Sequence, residues 1–248
     1  MFTQIEITTA CNAKCFYCPN GTLEHKHMSW ECFERILQAE KSPTMLLLYG
    51  TGEPLLHPFF WEMVAHAKGK GHRVSTITNG TIALSATHSV LLDHIGFSLD
   101  TLDEALAKRS GRTSPSKALK HLLACHALAP KKIKIYALNY GQDLAPLKAF
   151  AQEHGIALAI QQIQPKKSYQ VHYTTEPLPY TTFQCSYLEN EKMRYYFVDG
   201  TKAPCCFMID ATKVLPTKQI QQHLAQKNNV PSCCTQCGEL TGVKRLYM

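Results

Sequence analysis

Phe2-Thr-Gln-Ile-Glu-Ile-Thr-Thr9 is followed, one residue later, by Cys11-Asn-Ala-Lys-Cys15-Phe-Tyr-Cys18. The first segment is patterned as a β-strand. The second places three thiols in a short loop at that strand's carboxyl end. Three is the wrong number for a closed metal site, because a structural zinc or an ordinary electron-transfer cluster takes four protein ligands. Three thiolates on a [4Fe–4S] cluster would leave one iron open to a ligand that is not protein. The C-x3-C-x2-C spacing lets one loop wrap three corners of such a cube. A zinc knuckle is the competing reading of these cysteines taken alone.

Outward from this loop, the first 165 residues alternate between two patterns. Apolar runs rich in Ile, Val and Leu stand at 2–8, 44–49, 72–78, 94–99, 132–138 and 156–163. Stretches of helical period separate them, at about 29–41, 58–69, 84–92, 115–128 and 143–154. Strand-then-helix repeated in this way, with buried-looking strands, predicts an α/β fold of parallel βα units. Six units are too few for a closed eight-stranded barrel. Ser29 and Asp143 are candidate helix N-caps, and Gly69 and Gly71 mark a helix end. In such folds chemistry sits on the loops at the carboxyl ends of the strands, which is where the cysteine loop lies. From Gln164 the pattern breaks, and Pro165–Pro179 reads as a linker. Beyond it come a strand-like Met193–Val198, a turn at Asp199-Gly200, and six more cysteines.

The 248 residues can bury a full core. No run reaches the roughly 18 apolar residues of a membrane span, and the first residues lack a signal-peptide pattern, so a cytoplasmic location is expected. Eleven cysteines in a reducing compartment point to metal ligands rather than disulfides. Cys32 and Cys125 fall in helical stretches and read as buried thiols. The formal charge is +7. Two [4Fe–4S]2+ cores on seven thiolates would lower it to about +4, which suits an anionic partner without being a nucleic-acid signature. The lysines are dispersed.

The full C-x3-C-x-aromatic-C pattern, with Tyr17 as its aromatic residue, resembles the radical S-adenosylmethionine (radical SAM) superfamily. The resemblance implies a partial (β/α)6 TIM-like barrel over residues 1–165. It implies that Cys11, Cys15 and Cys18 hold a [4Fe–4S] cluster whose open iron is chelated by exchangeable SAM. Gly50-Thr51-Gly52-Glu53-Pro54 stands where the family has a "GGEP" motif, with Thr51 at its second position. Its backbone and Glu53 are implied to bind the amino end of SAM. Thr78-Asn79-Gly80 and Ser98-Leu99-Asp100 also recur in the family, and Ser98 and Asp100 are implied to reach the ribose and methionine region. Arg112 matches the position whose guanidinium pairs with the SAM carboxylate, with Arg109 as runner-up. Asn139 is offset from the usual place of a SAM-contacting Asn, where Tyr136 stands. His25, His27 and His57 lie near the site and carry no assigned role.

The tail reads Cys185, fourteen residues, Gly200, four residues, Cys205, and later Cys234-Thr-Gln-Cys237. Four cysteines suffice for a closed [4Fe–4S] site, and a hairpin turning at Gly200 could bring Cys185 and Cys205 together. This resembles the SPASM/twitch extension of radical SAM enzymes in its shorter twitch form. It implies a small cysteine-rich domain of hairpin plus helix over 166–248, with one auxiliary cluster on Cys185, Cys205, Cys234 and Cys237. Cys206 and Cys233 are alternative ligands, and a zinc site is the competing reading. The resemblance implies an oxidoreductase that cleaves SAM to a 5′-deoxyadenosyl radical and takes a hydrogen atom from a substrate. That substrate would be a ribosomally made peptide or protein side chain, or else a small aminocyclitol-like carbinol. Flavodoxin or ferredoxin would supply electrons. The rival from another class is a non-catalytic zinc or iron–sulfur binding module, which would need neither the Gly50–Pro54 loop nor the Ser98/Asp100 strand.

Overall fold

The computed structural model describes residues 2–163, 173–177, 185, 187, 193–208, 210–225, 230–231, 233–234, 237, 240 and 243–247. Six strands follow the predicted runs: β1 (Phe2–Ile5), β2 (Met45–Leu48), β3 (Arg73–Thr78), β4 (His94–Ser98), β5 (Ile133–Asn139) and β6 (Ala157–Gln162). All neighbours among them pair in parallel and in chain order. The helices between are α1 (Trp30–Ala39), α2 (Phe60–Gly69), α3 (Ala86–Leu91), α4 (Glu104–Arg109), α5 (Pro115–Leu128) and α6 (Ala145–Glu153). The sheet stays open, in the order β6-β5-β4-β3-β2-β1 followed by two strands from the tail.

The two faces of the sheet differ in kind: one is aliphatic, and the other is polar, though still largely buried at β1 and β3. Side chains alternate along a strand. One face carries Ile5, Leu46, Leu48, Val74, Ile95, Phe97, Ile133 and Ile135, packed on Phe33, Ile36, Phe60, Met63 and Leu122 of the helices. Full burial of each such side chain contributes about 1.5–3 kcal/mol. The opposite face carries Gln4, Glu6, Ser75, Ser98 and Tyr136, and this face leads to the site.

Local signals behave as expected at most helix ends. The Ser29 hydroxyl accepts from Cys32 N at 3.1 Å and caps α1. Asp143 accepts from Ala145 N at 2.8 Å, although Leu144 occupies the cap position of α6. The short α4, capped by Asp103, was not anticipated, because six residues are too few to display a period.

The tail joins the same sheet. β8 (Met193–Tyr196) pairs in parallel with β1, and β9 (Lys202–Ala203) folds back on β8 as the expected hairpin. A turn with Gly200 at φ +85° closes it. Helix α7 (Thr217–Ala225) follows. The stretch read as a linker contains β7 (Tyr173–Pro177), paired antiparallel with β10 (Val243–Tyr247). Its partner lies some seventy residues away, beyond the reach of any local pattern. The rest of Pro165–Pro179 lies outside the described residues.

One carboxylate fastens the tail to the barrel. Glu40, at the end of α1, has a side chain with no solvent exposure. It accepts from Thr3 Oγ1 of β1 at 2.8 Å, and from Arg194 Nη1 and Tyr196 Oη of β8 at 2.7 and 3.0 Å. Removing one partner of a fully buried ion pair costs about 3–5 kcal/mol. Arg194 keeps about a quarter of its side chain in water, so Glu40→Ala should cost less, about 2–3 kcal/mol. Thermal unfolding followed by circular dichroism checks this; an unchanged midpoint would exclude the anchor.

Candidate functional site

The three cysteines, the Gly50–Glu53 loop, Asn79, Ser98 and Arg112 line a single cleft of about 280 Å³ at the carboxyl ends of the strands. Tyr17, Tyr49, Tyr136 and Gln161 complete its wall. The chain reaches this arrangement by clamping successive βα loops onto one another.

The cysteine loop leaves β1 and docks on the turn after α4. Lys14 N donates to Gly111 O at 2.9 Å, and Phe16 N to Ser110 O at 3.1 Å. Gly111 has φ +75°, and a Cβ there would run into the Lys14 carbonyl oxygen. Sequence reasoning passed over Gly111, although it lies beside Arg112. The Cys15 Sγ stands 3.7 Å from Gly111 O and the Cys18 Sγ 3.8 Å from Thr51 O. Asn12 bonds Thr81 and Asn79, tying the loop to the end of β3. Burial pushes the Cys11 thiol up and the Cys18 thiol up to about 11, with nearby Arg112 pulling both down.

Tyr17 is buried, and its hydroxyl donates to Asp100. Burial first, and the Asp100 charge with it, keeps this phenol protonated. The Asp100 side chain has no exposure, and it also accepts from Arg112 Nε at 2.6 Å and Leu138 N at 2.8 Å. Asp100 therefore sits behind the cleft wall, spent on protein donors, whereas the sequence reading put it against SAM. Burial opposes the charge on Arg112, and Asp100, together with Tyr17 and Cys15, more than offsets that. The remaining guanidinium N–H groups have no protein partner among the described residues, and Arg112 faces the cleft. Arg109 lies exposed on α4.

Glu53 is also buried. It accepts from Thr78 Oγ1, Asn79 N and Leu55 N at 2.7, 2.6 and 3.2 Å. Burial raises its pKa against these donors. Its own N–H donates to Ala10 O at 2.8 Å. The two glycines of this loop make room for the exit of β1 rather than for a ligand: Cβ atoms on Gly50 and Gly52 would strike the Glu6 side chain and the Thr8 and Ala10 carbonyls. Asn139 accepts from Gly141 N and is absent from the cleft wall, which Tyr136 occupies instead. The His57 ring bonds the Met28 carbonyl and His27 bonds Thr8, so both brace the preceding loop.

The tail cysteines gather in a second place. Cys185, Cys205, Cys234 and Cys237 face one small space with Cys233, closed by Phe207, Met208 and Leu240. Burial pushes Cys205 up to about 12. The Cys233 and Cys234 sulfurs are 3.9 Å apart, and the hydrogen bond between them pulls Cys233 down to about 7. Cys206 does not line this space; its electrostatic neighbours include Tyr49 and Tyr195. Adjacent cysteines thus diverge at 205/206 and share a side at 233/234.

Among the described residues no group of three His, Cys, Asp or Glu is arranged to hold a single metal ion. A cubane needs no such group, because it spreads its thiolates over separate iron atoms. The donor set fits a cluster: three free thiols on one loop, a cation beside them, and a cleft adjoining.

An open parallel α/β sheet with a three-thiol loop at the carboxyl end of its first strand, beside a glycine-containing loop and an inward arginine, is an arrangement suited to a cluster. A family model described as the radical SAM superfamily matches residues 5–152, and the chain belongs to that superfamily. It is 30% identical over 192 residues to the GTP 3′,8-cyclase of Chlorobaculum tepidum, covering 70% of this chain and 56% of that protein. It is 29% identical over 174 residues to the mycofactocin maturase MftC of Mycobacterium ulcerans, covering 64% and 46%. The chain spans about half the length of these relatives. Among solved structures it is similar to Streptococcus suis SuiB bound to S-adenosylmethionine. There the TM-score is 0.63 at 16% identity, over 82% of this chain and 59% of that one. SuiB bound to its precursor peptide SuiA gives a TM-score of 0.56 at 20% identity, over 65% and 39%. At these identities the likeness shows the fold. Among the described residues no helix is long and apolar enough to cross a membrane.

Gly111→Ala should strip iron from the first site, whereas Gly155→Ala should not. Both glycines have positive φ, but a Cβ on Gly155 meets nothing within 4 Å. The backbone strain common to both is only about 1–2 kcal/mol. Iron per chain after anaerobic reconstitution separates them, and equal iron in the two variants would refute the docking role.

Proposed function

We propose that the chain is a radical SAM oxidoreductase of the twitch type. The observation that carries this is the convergence of Cys11, Cys15, Cys18, the Gly50–Glu53 loop and Arg112 on one cleft. Cys11, Cys15 and Cys18 would hold a [4Fe–4S] cluster. The loop backbone would meet the amino end of SAM, Ser98 its ribose side, and Arg112 its carboxylate. When bound, these groups supply a reducing electron and a 5′-deoxyadenosyl radical that takes a hydrogen atom from substrate.

The protein's own part is positioning. Asp100 fixes Arg112 by its Nε, which leaves the outer guanidinium edge free for a bidentate carboxylate contact. Tyr140 stacks on Tyr17 of the cysteine loop at 5.8 Å between centroids, with Phe16 of the loop edge-on to both rings. Cys185, Cys205, Cys234 and Cys237 would hold an auxiliary [4Fe–4S] cluster, with Cys233 a fifth thiol at the same place. The +7 charge suits an acidic electron donor such as flavodoxin or ferredoxin.

A ribosomally made peptide or protein side chain is the substrate class we favour. The similarity to MftC and to a fold solved with a precursor peptide supports it. A small molecule, such as an aminocyclitol-like carbinol, is the second reading. The likeness to a GTP 3′,8-cyclase favours a small-molecule substrate in general.

Two measurements test this. Iron should fall from about eight to about four per chain in the Cys11/Cys15/Cys18→Ala triple variant, and SAM cleavage should vanish. Zinc without iron in both proteins would end the enzyme reading. Deuterium from labelled peptides should appear in 5′-deoxyadenosine; transfer from labelled polyols alone would move the assignment to the second reading.

A further inference from the structure

Two features at the Gly50–Pro54 loop are left over: a carboxylate, Glu6, buried beneath it, and Thr51 at its second position. They explain each other. Glu6 Oε1 accepts from Thr51 N at 2.9 Å and from Thr51 Oγ1 at 2.7 Å. Glycine at 51 would keep only the first of these. Gly50 is packed so closely on this side chain that a Cβ would stand 2.5 Å from Glu6 Cγ. The loop is thus pressed onto Glu6 and held there by two donors.

The same carboxylate has a partner on its other side. Tyr195 of β8, itself buried, stands in register with Gln4 and so on the same face of the sheet as Glu6, whose charge reaches its phenol. Burial, and next the Glu6 charge, push its phenol well above the ordinary value, so the hydroxyl keeps its proton and is available to donate. β8 is the strand that leads into the cysteine-rich tail, and Tyr195 packs there with Met193, Phe197, Cys205 and Met208. At the other end, the Thr51 carbonyl lies 3.8 Å from the Cys18 sulfur. Neighbouring groups therefore run from the packing around Cys205, through Tyr195, Glu6 and Thr51, to a thiol of the first site. Neither Glu6 nor Tyr195 lines the cleft.

We infer that Glu6 is a positioning residue for the Gly50–Pro54 loop and that, through Tyr195, it makes the placing of that loop depend on the cysteine-rich tail. The identity of the ligand, SAM, rests on the functional reading above; the relay does not. A hydrogen bond to a charged group shifts a local equilibrium by about tenfold or more, so the loop should loosen measurably when either link is cut.

The test compares Tyr195→Phe, Glu6→Ala and Tyr196→Phe. The last removes a phenol one residue away that bonds Glu40 instead and serves as control. Hydrogen exchange at the amides of Thr51–Glu53 is measured on protein without added metal or SAM. SAM affinity is measured by titrating the reduced, reconstituted protein and following the electron paramagnetic resonance signal of the first cluster. Tyr195→Phe should speed Thr51 exchange and weaken SAM binding several-fold, and Glu6→Ala about tenfold or more. Glu6→Ala should also alter the signal before SAM is added. Tyr196→Phe should leave the loop as in wild type. Wild-type exchange and affinity in Tyr195→Phe would overturn the relay, as would the same change in Tyr196→Phe. If Glu6→Ala does not fold, Tyr195→Phe against Tyr196→Phe still decides. If wild type binds no SAM, the functional reading falls, and the exchange comparison alone judges the relay.

Discussion

The site hangs on the Asp100 carboxylate. It is wholly enclosed, and a buried charge persists only when paired and hydrogen-bonded. Its three donors come from three places in the chain: Tyr17 of the cysteine loop, Arg112 after α4, and Leu138 N in β5. The need to satisfy one charge therefore fixes the cysteine loop against strands four and five. It also sets the direction of Arg112. The guanidinium cannot rotate into solvent without abandoning Asp100, so its free edge stays turned to the cleft. Glu53 repeats the device between strands two and three, drawing in Thr78, Asn79 and Leu55.

Much of this architecture could be read in the sequence, because its signals are periodic or local. All six βα strands fall on the predicted runs, β5 passing the end of its run by one residue, since Ile, Val and Leu clusters mark a helix-covered sheet and the stretches between show helical spacing. The cysteine loop, the Gly50–Pro54 loop and Arg112 were legible because short motifs stand at strand ends, where parallel folds do their chemistry. The hairpin turning at Gly200 was legible from its glycine and the strand before it.

What could not be read was pairing across distance. Asp100 and Tyr17 are 83 positions apart, and nothing near Asp100 says that its carboxylate points inward at a phenol rather than outward at a ligand. The glycines at 50 and 52 look the same whether the chain approaching them is a cofactor or Glu6 and Ala10. Gly111 carries no motif of its own; its necessity arises only where the Lys14 carbonyl comes down on it. β7 was hidden for the same reason, since a strand among prolines is recognisable only beside β10. Thr51 was visible as a departure from the family's pattern, but its reason lay in a strand forty-five residues upstream.

These contacts also separate the two thiol groups in kind. The first three sulfurs are placed mostly by backbone: Lys14 and Phe16 dock on 110–111 and Glu53 N holds Ala10, while the Asn12 side chain reaches Asn79 and Thr81 just past β3. The protein alone presents them together, so a cluster bound there would meet a site that is largely made and need spend little on ordering the loop. The tail sulfurs come from positions 185, 205 and 233–237, stretches joined mainly through the apolar packing around Met208 and Leu240. A cluster on Cys185, Cys205, Cys234 and Cys237 would close chain segments of twenty to thirty residues. The restriction of such loops is itself a contribution to folding. In the first site the fold holds the thiols. In the second the thiols would help to hold the fold, and β8, anchored at Glu40 through its side chains and paired along β1 through its backbone, is where the two regimes meet.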